Sequence, residues 1–117
     1  MSLKGYTKQF IKKIGYIPYP GTLNIRLDNK KFSQMINQLD EDFISIKIDS
    51  FSDKNRTYGW VKCYDAKLNN SYDCKLIRLE RTHHDSSIIE FISKHNLRKT
   101  GKLKTGSKIK IKIFTRN

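Results

Sequence analysis

The segment Gly15-Tyr16-Ile17-Pro18-Tyr19-Pro20-Gly21-Thr22-Leu23-Asn24-Ile25-Arg26-Leu27-Asp28 restricts the backbone more than any other stretch of this chain. Pro18 and Pro20 each fix φ and remove a donor, while Gly21 reaches dihedrals closed to other residues. The chain must turn sharply here and leave the turn extended. Leu23, Ile25 and Leu27 alternate with Asn24, Arg26 and Asp28, the period-two pattern of a strand with one buried face. Thr22 and Asn24 are two residues apart at the entrance of that strand, so they project to the same side. A hydroxyl and a carboxamide oxygen held side by side suit a hard cation or a phosphate. The plainer reading is that Thr22 closes the turn and Asn24 caps it.

Before the turn, Tyr6, Phe10 and Ile14 recur every four residues among Lys8, Lys12 and Lys13, which predicts an amphipathic helix over 5–14 ended by Gly15. After β-like residues 23–28, residues 32–39 predict one or two helical turns with Phe32, Met35, Ile36 and Leu39 on one side. An acidic turn at 40–42 precedes a predicted strand at 43–49 and a polar turn at 50–55. The β-favouring Tyr58, Trp60, Val61 and Tyr64 predict a strand over 57–65, joined by a hairpin loop to another at 72–79. Residues 86–95 read as a helix, with Ile88, Ile89 and Ile92 on one face and Asp85 or Ser86 as N-cap. Last, Ile109, Ile111 and Ile113 alternate with lysines over 108–115, a strand whose lysines read first as a solvated face. Five strands with few helices argue for a mainly antiparallel barrel or closed sheet.

At 117 residues the chain is expected to form one domain, 1–117. No apolar run approaches a membrane span and no signal segment opens the chain, so a cytoplasmic protein without a membrane partner is expected. Cys63 and Cys74 flank the hairpin turn and could meet across it, but with no further cysteine they read as free thiols. The formal net charge of +13 would draw an anionic partner from a distance, and nucleic acid and polyphosphate nucleotides both qualify. Charge does not choose between them, because a chain rich in Lys, Ile and Asn becomes basic through composition alone.

Two blocks carry a resemblance. The run PYPGTLNIRL, preceded by the helical segment from Tyr6 to Ile14, is the first. The second is Arg81-Thr82-His83-His84-Asp85-Ser86-Ser87-Ile88-Ile89-Glu90-Phe91-Ile92 followed by Asn96-Leu97-Arg98. In order and spacing the pair resembles the archaeal CTP-dependent riboflavin kinases. The resemblance implies a mainly β fold, a small six-stranded cradle-loop barrel of the riboflavin-kinase type with short flanking helices. The family's first strand, with its glycine-rich loop, is missing from this chain on that comparison. The implied activity is transfer of the γ-phosphoryl group of CTP to the 5′-hydroxyl of riboflavin, giving FMN and CDP. By the same resemblance Thr22 and Asn24 would hold Mg²⁺, Thr82 and Glu90 would contact the flavin with Glu90 as general base, and His95, Asn96, Leu97 and Arg98 would contact the nucleotide. A monomer is expected.

Local readings stand beside these roles. Glu90 reads as a solvated helix carboxylate, and Arg98 as a surface charge complementing a helix C-terminus. His83 and His84 are adjacent and cannot face the same side of a strand, so neither is assigned as a ligand. There is no GxxxxGK[ST], HRD or DFG, which excludes a P-loop or protein-kinase mechanism at the motif level. One alternative function is a basic nucleic-acid-binding small β-barrel in which Tyr16, Tyr19, Tyr58, Trp60 and Tyr64 stack on bases. Another is a non-catalytic relic of the kinase fold that binds flavin or nucleotide. Nucleic acid is the less expected partner.

Overall fold

The backbone hydrogen bonds build one antiparallel sheet from six strands, in the computed structural model that describes residues 3–54, 56–81, 87–103, 106 and 108–115. Strands β1 (Leu23–Arg26), β7 (Ile88–Ile92), β6 (Tyr72–Leu79), β5 (Val61–Leu68) and β2 (Ile46–Ile48) follow one another across the sheet. Strand β8 (Ile111–Ile113) also pairs with β5. The free edge of β5 is shared: Val61 to Cys63 pair with β2, and Ala66 to Leu68 with β8. A separate ribbon joins β3 (Phe51–Ser52) to β4 (Thr57–Tyr58). The result is a mainly β, curled half-barrel of the cradle-loop kind with short flanking helices α1 (Thr7–Ile14), α2 (Lys30–Asp42) and α3 (Leu97–Thr100).

The sheet is buried on both faces, and the strand registers show how. Tyr64, Ala66, Leu68, Cys74, Leu76, Ile89, Phe91 and Leu23 face α2 and α3, where Ile36, Leu39 and Leu97 complete one apolar cluster. Val61, Cys63, Ile77 and Ile92 face the other way, onto Tyr6 and Phe10 at the start of the chain and Tyr58 of the ribbon. The Tyr64 hydroxyl donates to the Leu39 carbonyl at 3.2 Å, fixing the end of α2 against the sheet. On the opposite face the Tyr6 hydroxyl donates to the Gly59 carbonyl at 2.9 Å. Tyr58 stacks on Phe51 at 4.6 Å and takes the edge of Tyr6 at 5.3 Å, so the ribbon is held by aromatic contacts.

Several local expectations hold. Helix α1 ends at Gly15 in the left-handed region, φ 84°, with its N–H returning to the Phe10 and Ile11 carbonyls. The β5–β6 hairpin turns at Asn69 and Asn70, both at positive φ, as Asn tolerates. Helix α2 is longer than one or two turns: Asn29 caps it by accepting from the Lys31 amide, and it runs through the supposed acidic turn to Asp42. The strand expected at 43–49 is confined to Ile46–Ile48, and that at 57–65 is split by Gly59 and Trp60. The strand expected at 108–115 is confined to Ile111–Ile113, and Lys110 and Lys112 are exposed, as a solvated face requires.

The helix expected over 86–95 is not there. Residues Ile88–Ile92 are β7, an inner strand paired with β1 on one side and β6 on the other. Ile88, Ile89, Phe91 and Ile92 mimic a helical stripe only because both faces of this strand are buried, which removes the alternation that marks a half-exposed strand. The two cysteines also part company. Cys74 sits opposite Ala66 in one apolar cluster and Cys63 opposite Ile77 in the other, so they lie on opposite faces as free, buried thiols. Burial pushes both thiols up to about 12, which leaves them unreactive at neutral pH.

Candidate active site

The proline-glycine turn is tied down at two points. The Tyr19 amide donates to the Ser93 carbonyl at 2.7 Å, just beyond the end of β7. The Asn96 side-chain nitrogen donates to the Tyr19 hydroxyl at 3.2 Å. Gly21 carries φ 94° with nothing within 4 Å of where a Cβ would stand, so glycine is needed there for the dihedral and not for space. Gly21→Ala is therefore expected to lower stability by about 1–2 kcal/mol through backbone strain alone, measured by denaturant unfolding.

Beyond the turn, the Thr22 hydroxyl donates to Asn24 Oδ1 at 2.8 Å. Thr22 is half-buried and Asn24 exposed, so neither is sealed in the core. Asn24 stands directly opposite Glu90 across the β1–β7 ladder, and directly opposed residues share a face. Glu90 is only 5% exposed, which makes it one of two buried polar side chains among the described residues. The solvated-helix reading of Glu90 is therefore wrong: it is a strand carboxylate under cover, facing the strand that carries Asn24.

A cleft of about 130 Å³ opens at the end of the β1–β7 ladder, lined by residues 19–23 on one side and by Phe91, Ser93 and residues 95–98 on the other. Pockets for whole small molecules commonly reach about 300–1,000 Å³, so this one seats a fragment. Thr22 belongs both to the cleft and to the row containing Asn24 and Glu90, and is the residue that joins them.

The segment 95–98 divides by side chain. His95 and Arg98 are exposed and line the cleft. Leu97 is 6% exposed and belongs to the apolar core, which leaves only its backbone for a ligand. Asn96 spends its carboxamide on the protein, donating to Tyr19 and accepting from the Lys99 amide at 3.2 Å as N-cap of α3. The carbonyls of Asn96, Leu97, Arg98 and Lys99 all accept bonds from the α3 turn. Thr82, His83 and His84 lie outside the described residues.

Ser93 escaped the sequence reading altogether. It is 5% exposed, donates to the Asp73 carbonyl and accepts from the His95 amide, both at 3.3 Å. A lone Ser-Lys pair after an apolar run signals no more than a strand end, so nothing local marks it.

Among the described residues no group of three or more His, Cys, Asp or Glu is gathered to hold a metal. A Thr–Asn pair does fit magnesium in another way. An octahedral Mg²⁺ with oxygen ligands at about 2.1 Å sets neighbouring ligand oxygens about 3 Å apart. Thr22 Oγ1 and Asn24 Oδ1 already stand 2.8 Å apart. Of the five aromatics that a nucleic-acid barrel would stack on bases, Tyr58 and Tyr64 are buried in the two apolar clusters.

Comparison with known proteins gives the family. A family model described as CTP-dep_RFKase, Domain of unknown function DUF120, matches residues 1–113. The chain belongs to the archaeal CTP-dependent riboflavin kinase family. Within that family it is 51% identical over 113 residues to a riboflavin kinase of Cenarchaeum symbiosum, covering 97% of this chain and 58% of the relative. It is 40% identical over 114 residues to a riboflavin kinase of Pyrobaculum islandicum, covering 97% and 53%. A riboflavin kinase of Archaeoglobus fulgidus is 37% identical over 114 residues, covering 97% and 48%. The chain thus spans about half the length of the curated riboflavin kinases it matches. Among the described residues no helix is long and apolar enough to cross a membrane.

Proposed function

We propose that this chain forms a single kinase domain that transfers the γ-phosphoryl group of CTP to the 5′-hydroxyl of riboflavin, giving FMN and CDP. The observation that carries the reading is the position of Thr22. It lines the cleft with residues 95–98 and bonds Asn24, whose cross-strand partner is the buried Glu90. A phosphoryl donor in the cleft and an acceptor hydroxyl at Glu90 then meet at the Thr22–Asn24 pair. Membership of the riboflavin kinase family supports the same reading.

Phosphoryl transfer leaves little covalent work to the protein, so its residues position the reactants and hold charge. Thr22 and Asn24 would hold Mg²⁺ through neutral oxygens, with the phosphates as anionic ligands. Bound there, the metal neutralises charge on the phosphate oxygens. Arg98, exposed at the cleft wall, pairs with a phosphate, and the backbone of residues 95–98 faces the base. Glu90 accepts the proton of the 5′-hydroxyl as that oxygen bonds the γ-phosphorus, and Thr82 is proposed as a second flavin contact on the family resemblance alone. The bond from phosphorus to the β–γ bridging oxygen breaks, and its electron pair leaves with CDP.

Incubation with riboflavin, Mg²⁺ and either CTP or ATP tests this. FMN is expected to form with CTP, to fall to a small fraction with ATP, and to stop when the metal is chelated. No FMN with CTP, or equal rates with both nucleotides, would overturn the assignment.

A further inference from the structure

Two walls of the cleft come from distant parts of the chain: residues 19–23 on one side, and Phe91, Ser93 and residues 95–98 on the other. Ser93 and Tyr19 stand at their junction. The Ser93 carbonyl receives the Tyr19 amide at 2.7 Å, and its hydroxyl joins the Asp73 carbonyl of β6 to the His95 amide. Two distant pieces of chain, the Tyr19 turn and β6, thus converge on one serine that is 5% exposed. A second tie runs from the Asn96 carboxamide to the Tyr19 hydroxyl at 3.2 Å, and the same carboxamide caps α3.

Each tie has a cost that function would explain. A buried hydroxyl must keep its partners, since losing one leaves a backbone group without a bond. Tyr19 is 43% exposed, so its ring is not held by core packing, and the hydroxyl bond to Asn96 holds it at the cleft. The strand pairing of β1 with β7 ends at Leu23 and Phe91. Past that point two bonds cross between the walls, from the Tyr19 amide to the Ser93 carbonyl and from the Asn96 carboxamide to the Tyr19 hydroxyl, while the Ser93 hydroxyl holds its own wall to β6.

The geometry points to Ser93 and the Tyr19 hydroxyl as positioning residues that set the width of the nucleotide cleft, fixing the bound nucleotide without touching the reacting atoms. The inference rests on the proposed kinase reading, because it takes residues 95–98 as the nucleotide wall. It also recasts Asn96, whose side chain acts as a strut between walls.

Tyr19→Phe removes one hydroxyl and nothing else, and Ser93→Ala removes the other. One net hydrogen bond is worth about 1 kcal/mol, or about fivefold in binding. Tyr19→Phe is expected to raise the KM for CTP about fivefold and Ser93→Ala at least as much. The KM for riboflavin should stay within twofold and kcat likewise. A loosened fold would shift both substrates together, so the split between them separates positioning from general damage. Equilibrium titration with CDP should weaken in parallel for both variants, and the thermal midpoint of Tyr19→Phe should stay close to the parent value. If the parent chain binds CDP and both variants bind it equally well, the strut proposal fails while the kinase reading stands. If both substrates weaken together, the proposal fails as well. If the parent chain binds no CDP and makes no FMN, the kinase reading fails and takes this one with it.

Discussion

Glu90→Gln is expected to lower kcat for FMN formation by about 10²–10⁴-fold, the range over which a positioned general base contributes. The substitution keeps size and one accepting oxygen, so a hydrogen bond to the ribityl chain survives while the proton acceptor is lost. Glu90 is 5% exposed and faces the strand carrying Asn24, two residues from the Thr22 wall of the cleft. The KM for riboflavin should therefore move little. An unchanged rate at saturating riboflavin and CTP would remove Glu90 from catalysis.

Phe91→Ala is expected to cost about 3–5 kcal/mol, the usual penalty for emptying a fully buried aromatic site. Phe91 is 0% exposed and is clamped between Leu23 of β1 and Leu76 of β6, directly opposite each. Total stabilities of small domains are about 5–15 kcal/mol, so this one change removes a large share. In urea the midpoint should fall with the slope preserved, since the area exposed on unfolding hardly changes. Phe114→Ala is the control: Phe114 is 46% exposed, and its loss should stay within about 0.5 kcal/mol. Equal effects of the two substitutions would mean that the apolar cluster on the α2 face is not the core.

These two residues are neighbours on one strand and point to opposite faces of the sheet, and that placement was invisible locally. The isoleucines around Glu90 satisfy a helical period as well as a buried strand does. With β1 on one side and β6 on the other, both faces of β7 are covered and no polar alternation survives. Local pattern alone therefore gives a solvated carboxylate where the sheet buries one. The Leu97 side chain fills the core, and a four-residue helix offers too little pattern to reveal which way it packs. Ser93 and Asn96 owe their importance to bonds spanning 20 and 77 residues of sequence.

What the chain states for itself is local. The four-residue apolar spacing with Gly15 behind it makes α1, the period-two run after Gly21 makes β1, and two asparagines at positive φ close the hairpin. These follow from dihedral restrictions and side-chain spacing within a few residues, and the PYPGTLN motif in the same stretch, taken with the block from Arg81 to Arg98, indicates the family. Tertiary structure alone decided that Asn24 faces Glu90, that Thr22 shares a cleft with residues 95–98, and that the cysteines lie on opposite faces. Register between distant strands depends on packing the whole sheet against its helices, a condition no single segment can impose.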